Sequence, residues 1–177
     1  PNGSSIHKNL IGKFKNEVKR QGALPFVRHH NIKYGGQFPI WVAVELFTFG
    51  MLGSLFDLMR ENDQRAVSRE YNLSPESLSR LIASAVDVRN ICAHYNRLYN
   101  RVLEEQPLLP NRLHLYESDR LFPLLLAFAH VLGRERVLNR LITGLSLLET
   151  DFPEADLSLC GFPEDWRSIL EAEAAQA

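Results

Sequence analysis

The hexad Arg89-Asn90-Ile91-Cys92-Ala93-His94 puts an arginine, an amide and a histidine within six residues. A guanidinium is a planar fork of donors matched to phosphate oxygens, and it stays charged at any physiological pH. Histidine titrates near neutrality, so it can take a proton from a ribose 2′-hydroxyl or give one to a departing 5′-oxygen. Asn90 is placed to orient that imidazole or to hold a phosphate oxygen. With Arg89 stabilising the added charge on a phosphorane, such a reaction requires no metal. The sequence also offers no acidic cluster suited to magnesium. DNA lacks the 2′-hydroxyl and would not be cleaved by this route.

The signal continues past the hexad. From Arg89 to Arg101 there are three arginines (89, 97, 101), three asparagines (90, 96, 100) and His94, dense for a face that needs only solubility. The element carrying them starts at Ser74, an N-cap residue followed by Pro75 in the first turn. No proline or glycine follows until Pro107, which predicts a helix of roughly thirty residues through the motif. On that helix Asn90, His94, Arg97 and Arg101 share one face, with Arg89 about a quarter-turn to the side. Ala85, Val88, Cys92, Tyr95 and Tyr99 form a separate, mostly apolar stripe expected to enter the core.

Around this element the remaining pattern is helical. Ile6, Leu10, Phe14 and Val18 recur at a spacing of four, predicting an amphipathic helix over 5–20 that Gly22 ends. Residues 21–39 read as a structured connection with at most a short helix. A long helix is predicted from Pro39 to about Met59, and a short one over 64–71. After the loop at Pro107 and Pro110, helices are expected over 119–132 and 134–148, with a last short one after Pro163. Nothing alternates with period two for long enough to make a strand. The expectation is an all-α bundle with a long motif-bearing helix and no internal repeats, in one domain over 1–177. Its parts are a basic helix and connection (1–38), core motif helices (39–104) and C-terminal helices (105–177).

Composition narrows the class of protein. At 177 residues and 45% hydrophobic content the chain can bury one sizeable core, and its net charge of −1 gives no overall field for polyanions. The charges are nonetheless segregated. Lys8, Lys13, Lys15, Lys19, Arg20, Arg28 and Lys33 face Glu17 alone, whereas eight acids lie from Glu149 to Glu173 against Arg167. The basic end attracts polyanions mildly, if it is not simply a solvated helix face. Cys92 and Cys160 form neither a disulfide framework nor a zinc pattern, which suits a reducing cytoplasm, and both are expected in the core. The apolar run 38–59 is interrupted by Glu45, Gly50, Gly53 and Asp57, so a core helix is expected there and no membrane span. The chain opens at Pro1 without a methionine, which leads us to expect the C-terminal part of a longer protein.

The stretch RN-x-x-AH-x-x-RL-x-N, residues 89–100, resembles the signature of the HEPN superfamily, and in this form the bacterial abortive-infection, Abi-like proteins. Phe38-Pro39-Ile40-Trp41, then Glu45 and Thr48-Phe49-Gly50, is similar to that family's first helix, and His30 and Tyr34 also fit. The resemblance covers about residues 26–101. It implies a HEPN-like helical bundle, dimeric, in which two motif helices meet in a composite, cofactor-free ribonuclease site of a phage-defence or toxin system. Arg89 and His94 match the motif's catalytic residues and Asn90 the polar residue between them. Arg97 and Asn100 match further family-level positions, and together with Asn96 and Arg101 of the same stretch they are expected to support the site or bind RNA. RNA is the implied partner, alongside a second copy of the chain and an antitoxin or other regulatory protein.

Other residues are weighed against plain structural roles. Glu45, inside an apolar run, is expected to be buried and to pair with Arg89 or His94, fixing the motif helix. His29-His30 lacks a second ligand pair for zinc, and His30 reads as a hydrogen-bonded structural residue. His114 is expected at the surface and His130 in the core. Trp41, Phe47 and Phe49 read as core residues. Gly50, Gly53 and Ser54 form a small-residue strip suited to helix packing or a dimer seam. Two further functional classes remain open: a noncatalytic RNA-binding or protein-interaction module, and a helical structural dimer.

Overall fold

The computed structural model describes residues 3–132 and 136–176, with only the backbone of residues 136 and 137. Every regular element among them is helical, so the fold is all-α as its periodicity requires. The residues group into two compact units, Pro1–Gln64 and Arg65–Ala177. No helix among the described residues is long and apolar enough to cross a membrane.

In the first unit, α1 (Gly3–Arg20) turns the expected stripe inward: Leu10 is buried and Ile6, Phe14 and Val18 are half-buried. Phe14 meets Phe38 and Phe47 edge-on, at centroid distances of 5.6 and 5.9 Å. Pro25 occupies the first turn of α2 (Pro25–Lys33), where its missing N–H costs nothing. The long helix expected over 39–59 is instead broken. α3 (Ile40–Ala43) tightens into a 3-10 turn at Val44–Leu46, Phe47 is extended, and Thr48 caps a new helix, α4 (Phe49–Asp57), accepting the Met51 N–H at 3.4 Å. Threonine is a preferred N-cap because its hydroxyl satisfies an orphan amide, and here that local bond outcompetes continuation. The break shifts the phase of the segment. Trp41, expected in the core, is 73% exposed, Phe49 is exposed, and Leu46 and Met51 are buried in their place. α1 packs against α4 and the 3-10 turn.

α5 (Glu61–Arg69) starts three residues before its expected position. It ends on Asn72 in the left-handed region, with the Leu73 N–H on the Ser68 carbonyl at 3.0 Å. α6 (Pro75–Ala93) begins as predicted, the Ser74 hydroxyl accepting the Ser77 N–H at 3.0 Å.

The second unit is built around α7 (Phe122–Leu132), a helix apolar on nearly all sides, against which α6, α8 (Arg136–Asp151) and α9 (Trp166–Ala174) pack. The predicted start of α8 at Arg134 lies outside the described residues. Leu81, Phe122, Leu124, Leu126, Leu138, Phe162, Trp166 and Leu170 belong to one continuous core.

A carboxylate is locked into this unit. Glu173 of α9 is 2% exposed. It accepts hydrogen bonds from His130 Nδ1 on α7 at 2.7 Å and from Arg112 Nη2 at 2.6 Å, with Arg112 Nη1 on its other oxygen. Arg112 lies in a 3-10 segment, Asn111–Tyr116. Burial raises the pKa of Glu173, but the Arg112 and His130 bonds outweigh it and the net shift is downward. His130 is thus the core histidine expected, and His114 is exposed.

Glu173→Ala should cost about 3 kcal/mol in urea denaturation, the lower end for breaking a buried pair, because the part-exposed Arg112 can be rehydrated. A carboxylate whose folded pKa lies below its unfolded value stabilises above the unfolded value, and that stability is lost as pH falls through the folded one. Native protein should therefore lose stability on acidification below about pH 4.5, and Glu173→Ala should lose less over the same interval.

Candidate functional site at the end of the motif helix

The helix carrying the motif stops inside it. α6 ends at Ala93, His94 is its C-cap, and Tyr95 adopts a left-handed conformation with φ +55°. The Asn96 N–H bonds to the Ile91 carbonyl at 3.0 Å and the Tyr95 N–H to the Cys92 carbonyl at 3.1 Å. This is a Schellman closure, which satisfies the orphan carbonyls of a helix end. Glycine normally supplies the left-handed residue, and asparagine does so after α5. Here a tyrosine does, so the stop carries no glycine or proline in the sequence. The expected thirty-residue helix is accordingly nineteen residues long, and the face proposed to unite Asn90, His94, Arg97 and Arg101 exists only as far as His94.

Arg89, Asn90, Cys92, His94, Tyr95, Asn96 and Arg97 are all exposed. Arg89 Nη1 donates to the Asn90 side-chain oxygen at 3.2 Å, a contact between exposed neighbours. Arg89 and His94, five positions apart, leave the helix axis about 140° from each other. The stripe expected to be buried is only partly so. Ala85 is buried and Val88 packs on the core, but Cys92 is exposed, Tyr95 is 99% exposed and Tyr99 is at the surface. The helix phase that buries Ile91 sends Cys92 outward, and the reversal after His94 ejects Tyr95.

Beyond the reversal the chain is pinned to the rest of the second unit. Tyr99 bonds through its hydroxyl to both the carbonyl and the N–H of Asp156, at 3.2 and 3.0 Å. Asn100, also left-handed at φ +52°, donates its N–H to the Sγ of buried Cys160 at 3.4 Å and accepts from Arg120 Nη1 at 2.9 Å. Gly161, at φ +83°, lies where any Cβ would come within 2.8 Å of the Arg120 Cβ. Asn100 is therefore an anchoring residue in this structure, whereas Arg97 and Arg101 project from the anchored loop as exposed cations. Leu103 is buried and closes the segment, its N–H on the Asp119 carbonyl at 2.8 Å. Sequence reasoning missed this role of Arg120, Asp156 and Cys160, which only long-range contacts create.

Glu45 is exposed, so the burial that would oblige it to find a partner is absent. No group of three or more histidine, cysteine or acidic side chains among the described residues could hold a metal ion.

The family model for Abi-like proteins matches residues 2–100, more than half of the chain. The match takes in both resemblance segments and the motif as far as Asn100, leaving Arg101 just outside. No curated protein and no solved structure matches the chain.

An exposed tyrosine in the left-handed region bears a conformational cost of about 1–2 kcal/mol with no burial in this chain to offset it. Tyr95→Gly should therefore raise stability by about 1 kcal/mol, read as a higher urea midpoint with an unchanged slope. An unchanged or lower midpoint would mean that the tyrosine stabilises this turn in the isolated chain.

Proposed function

We propose that this chain, which belongs to the Abi-like protein family, is a metal-independent endoribonuclease of an abortive-infection system, acting as a HEPN-type dimer. The observation that carries the reading is the exposure of the motif's polar side chains at the end of α6. Arg89, Asn90, His94 and Arg97 face solvent beside a strained, uncovered Tyr95. Groups that must meet a phosphodiester have to be reachable, and backbone strain persists where a site demands it.

The divergence of Arg89 and His94 around the helix favours a composite cleft over a site within one chain. In a two-fold arrangement the arginine of one copy can approach the histidine of the other, and each copy donates the same residues. The 2′-oxygen attacks the adjacent phosphorus as His94 accepts its proton. The bond from phosphorus to the 5′-oxygen then breaks, and that oxygen leaves with the proton that His94 returns. The products are a 2′,3′-cyclic phosphate and a 5′-hydroxyl. Arg89, in contact with Asn90, balances the charge on the phosphorane, while Arg97 and Arg101 hold flanking phosphates.

Incubation with RNA in EDTA should yield cyclic-phosphate ends, and His94→Ala or Arg89→Ala should slow cleavage by about 10²–10⁴-fold. Specific activity should fall on dilution as the dimer dissociates. RNA that is bound with steep salt dependence but never cut would point to the noncatalytic module instead. Cleavage that survives His94→Ala would sink the assignment.

A further inference from the structure

We propose a second RNA contact in the first unit: the pocket lined by His30, Tyr34, Gln37, Phe38 and Pro39 takes one base of a single-stranded RNA. It rests on the RNA-binding half of the function proposed above, but not on cleavage.

The pocket has a volume of 530 Å³, within the range of sites that hold small aromatic ligands. Its shape comes from two consecutive glycines. Gly35 and Gly36 have φ of +60° and +78°, a conformation that side chains resist, and they turn the chain back after α2. The Gly36 N–H on the His30 carbonyl and the Gln37 N–H on the Tyr34 carbonyl, both 3.1 Å, fix the return. The turn lays Phe38 parallel to the His30 ring, 5.1 Å away at 16°, with Phe14 of α1 edge-on behind it. His30 Nδ1 lies 2.9 Å from the Phe26 carbonyl, which can only accept, so the ring orientation is locked. The histidine thus has the structural bond expected of it and also forms a wall.

Tyr34 is the open member of this group. It is 48% exposed, tilted 44° to His30, and has Lys33 Nζ 5.5 Å from its ring centre. A flat base stacks on such rings whatever its identity, and a neighbouring cation strengthens the contact. Gln37 is exposed and offers both amide donors and an acceptor to a base edge.

The charge carried by α1 and α2 suits a nucleic-acid backbone. Exposed Lys8, Lys15 and Lys19 share one stripe of α1, and Arg28 and Lys33 are exposed on α2. Glu17, the sole acid from residue 3 to 38, is already tied to Arg20 at 2.6 Å. A smaller groove of 310 Å³ between His7, Lys8, Ile11, Gly12 and Lys15 continues the cationic surface along α1.

The test uses a fluorescein-labelled 2′-O-methyl oligoadenylate, which lacks the attacking hydroxyl and is bound without being cut. Anisotropy titrations at several salt concentrations should show Tyr34→Ala weakening affinity by roughly 5- to 150-fold, the contribution of one stacked base. The slope of log affinity against log salt should not change, because no phosphate contact is removed. Tyr34→Phe keeps the ring and should bind as the native chain does. Unchanged affinity in Tyr34→Ala, equal losses in both variants, or no binding by the native chain would each overturn the pocket. A native chain that binds through Tyr34 but never cuts ordinary RNA would remove the nuclease and leave the pocket. Normal cutting with Tyr34 irrelevant to binding would do the reverse.

Discussion

Burial of the Glu173 carboxylate is the constraint around which the second unit closes. α7 must be buried because it has no polar face, and His130 is the one polar side chain along it. A buried imidazole needs a partner, and Glu173 supplies it from α9 while Arg112 neutralises the carboxylate from the 3-10 segment before α7. Three separated parts of the chain are thereby held in one register. The apolar contacts of Leu124, Leu126, Trp166 and Leu170 then pack around them. α6 packs against α7 through this core, with Leu81 and Val88 facing inward, and its outward side carries Arg89 and Asn90.

What the motif helix presents depends on where it stops. Had α6 continued, Arg97 and Arg101 would lie on the same face as His94. The Schellman closure at His94 instead puts the histidine at a helix end, exposes Tyr95 wholly and sends the following residues into a loop stitched down by Tyr99, Asn100 and Leu103. A helix with a free end and an anchored return is a firm platform for a contact made by another molecule. The uncovered side chains there are what such a contact would bury, be it RNA or a second copy of the chain.

The first unit carries a different chemistry. Its glycine turn, ring cluster and lysine stripe form a surface with few acids to oppose a phosphate backbone, and its aromatic rings sit at the mouth of a cavity rather than wholly inside a core. Base stacking and phosphate attraction are the two sequence-independent ways to hold a single strand. A chain that uses both can hold RNA without reading its sequence.

The helical class, the amphipathic stripe of α1, the start of α6 at Ser74-Pro75 and the two family segments were all legible from the sequence. Each is a local signal, set by periodicity or by the chemistry of one cap. Arg89, Asn90 and His94 were legible as residue types able to act on a phosphodiester. The break at Thr48, the stop at Tyr95 and the exposure of Glu45 and Trp41 were not, because two of these are choices between nearly equal local conformations. A threonine can cap a helix or ride within one, and a tyrosine takes the left-handed region only when surrounding contacts compel it. The phase of every face downstream follows from those choices. The sequence by itself determined which residue types stand together in the motif and that the fold would be helical. Only the tertiary structure decided which of them share a surface, because the long-range bonds of Arg112, Arg120, Asp156, Cys160 and Glu173 set the register of the second unit and pin the loop that follows His94.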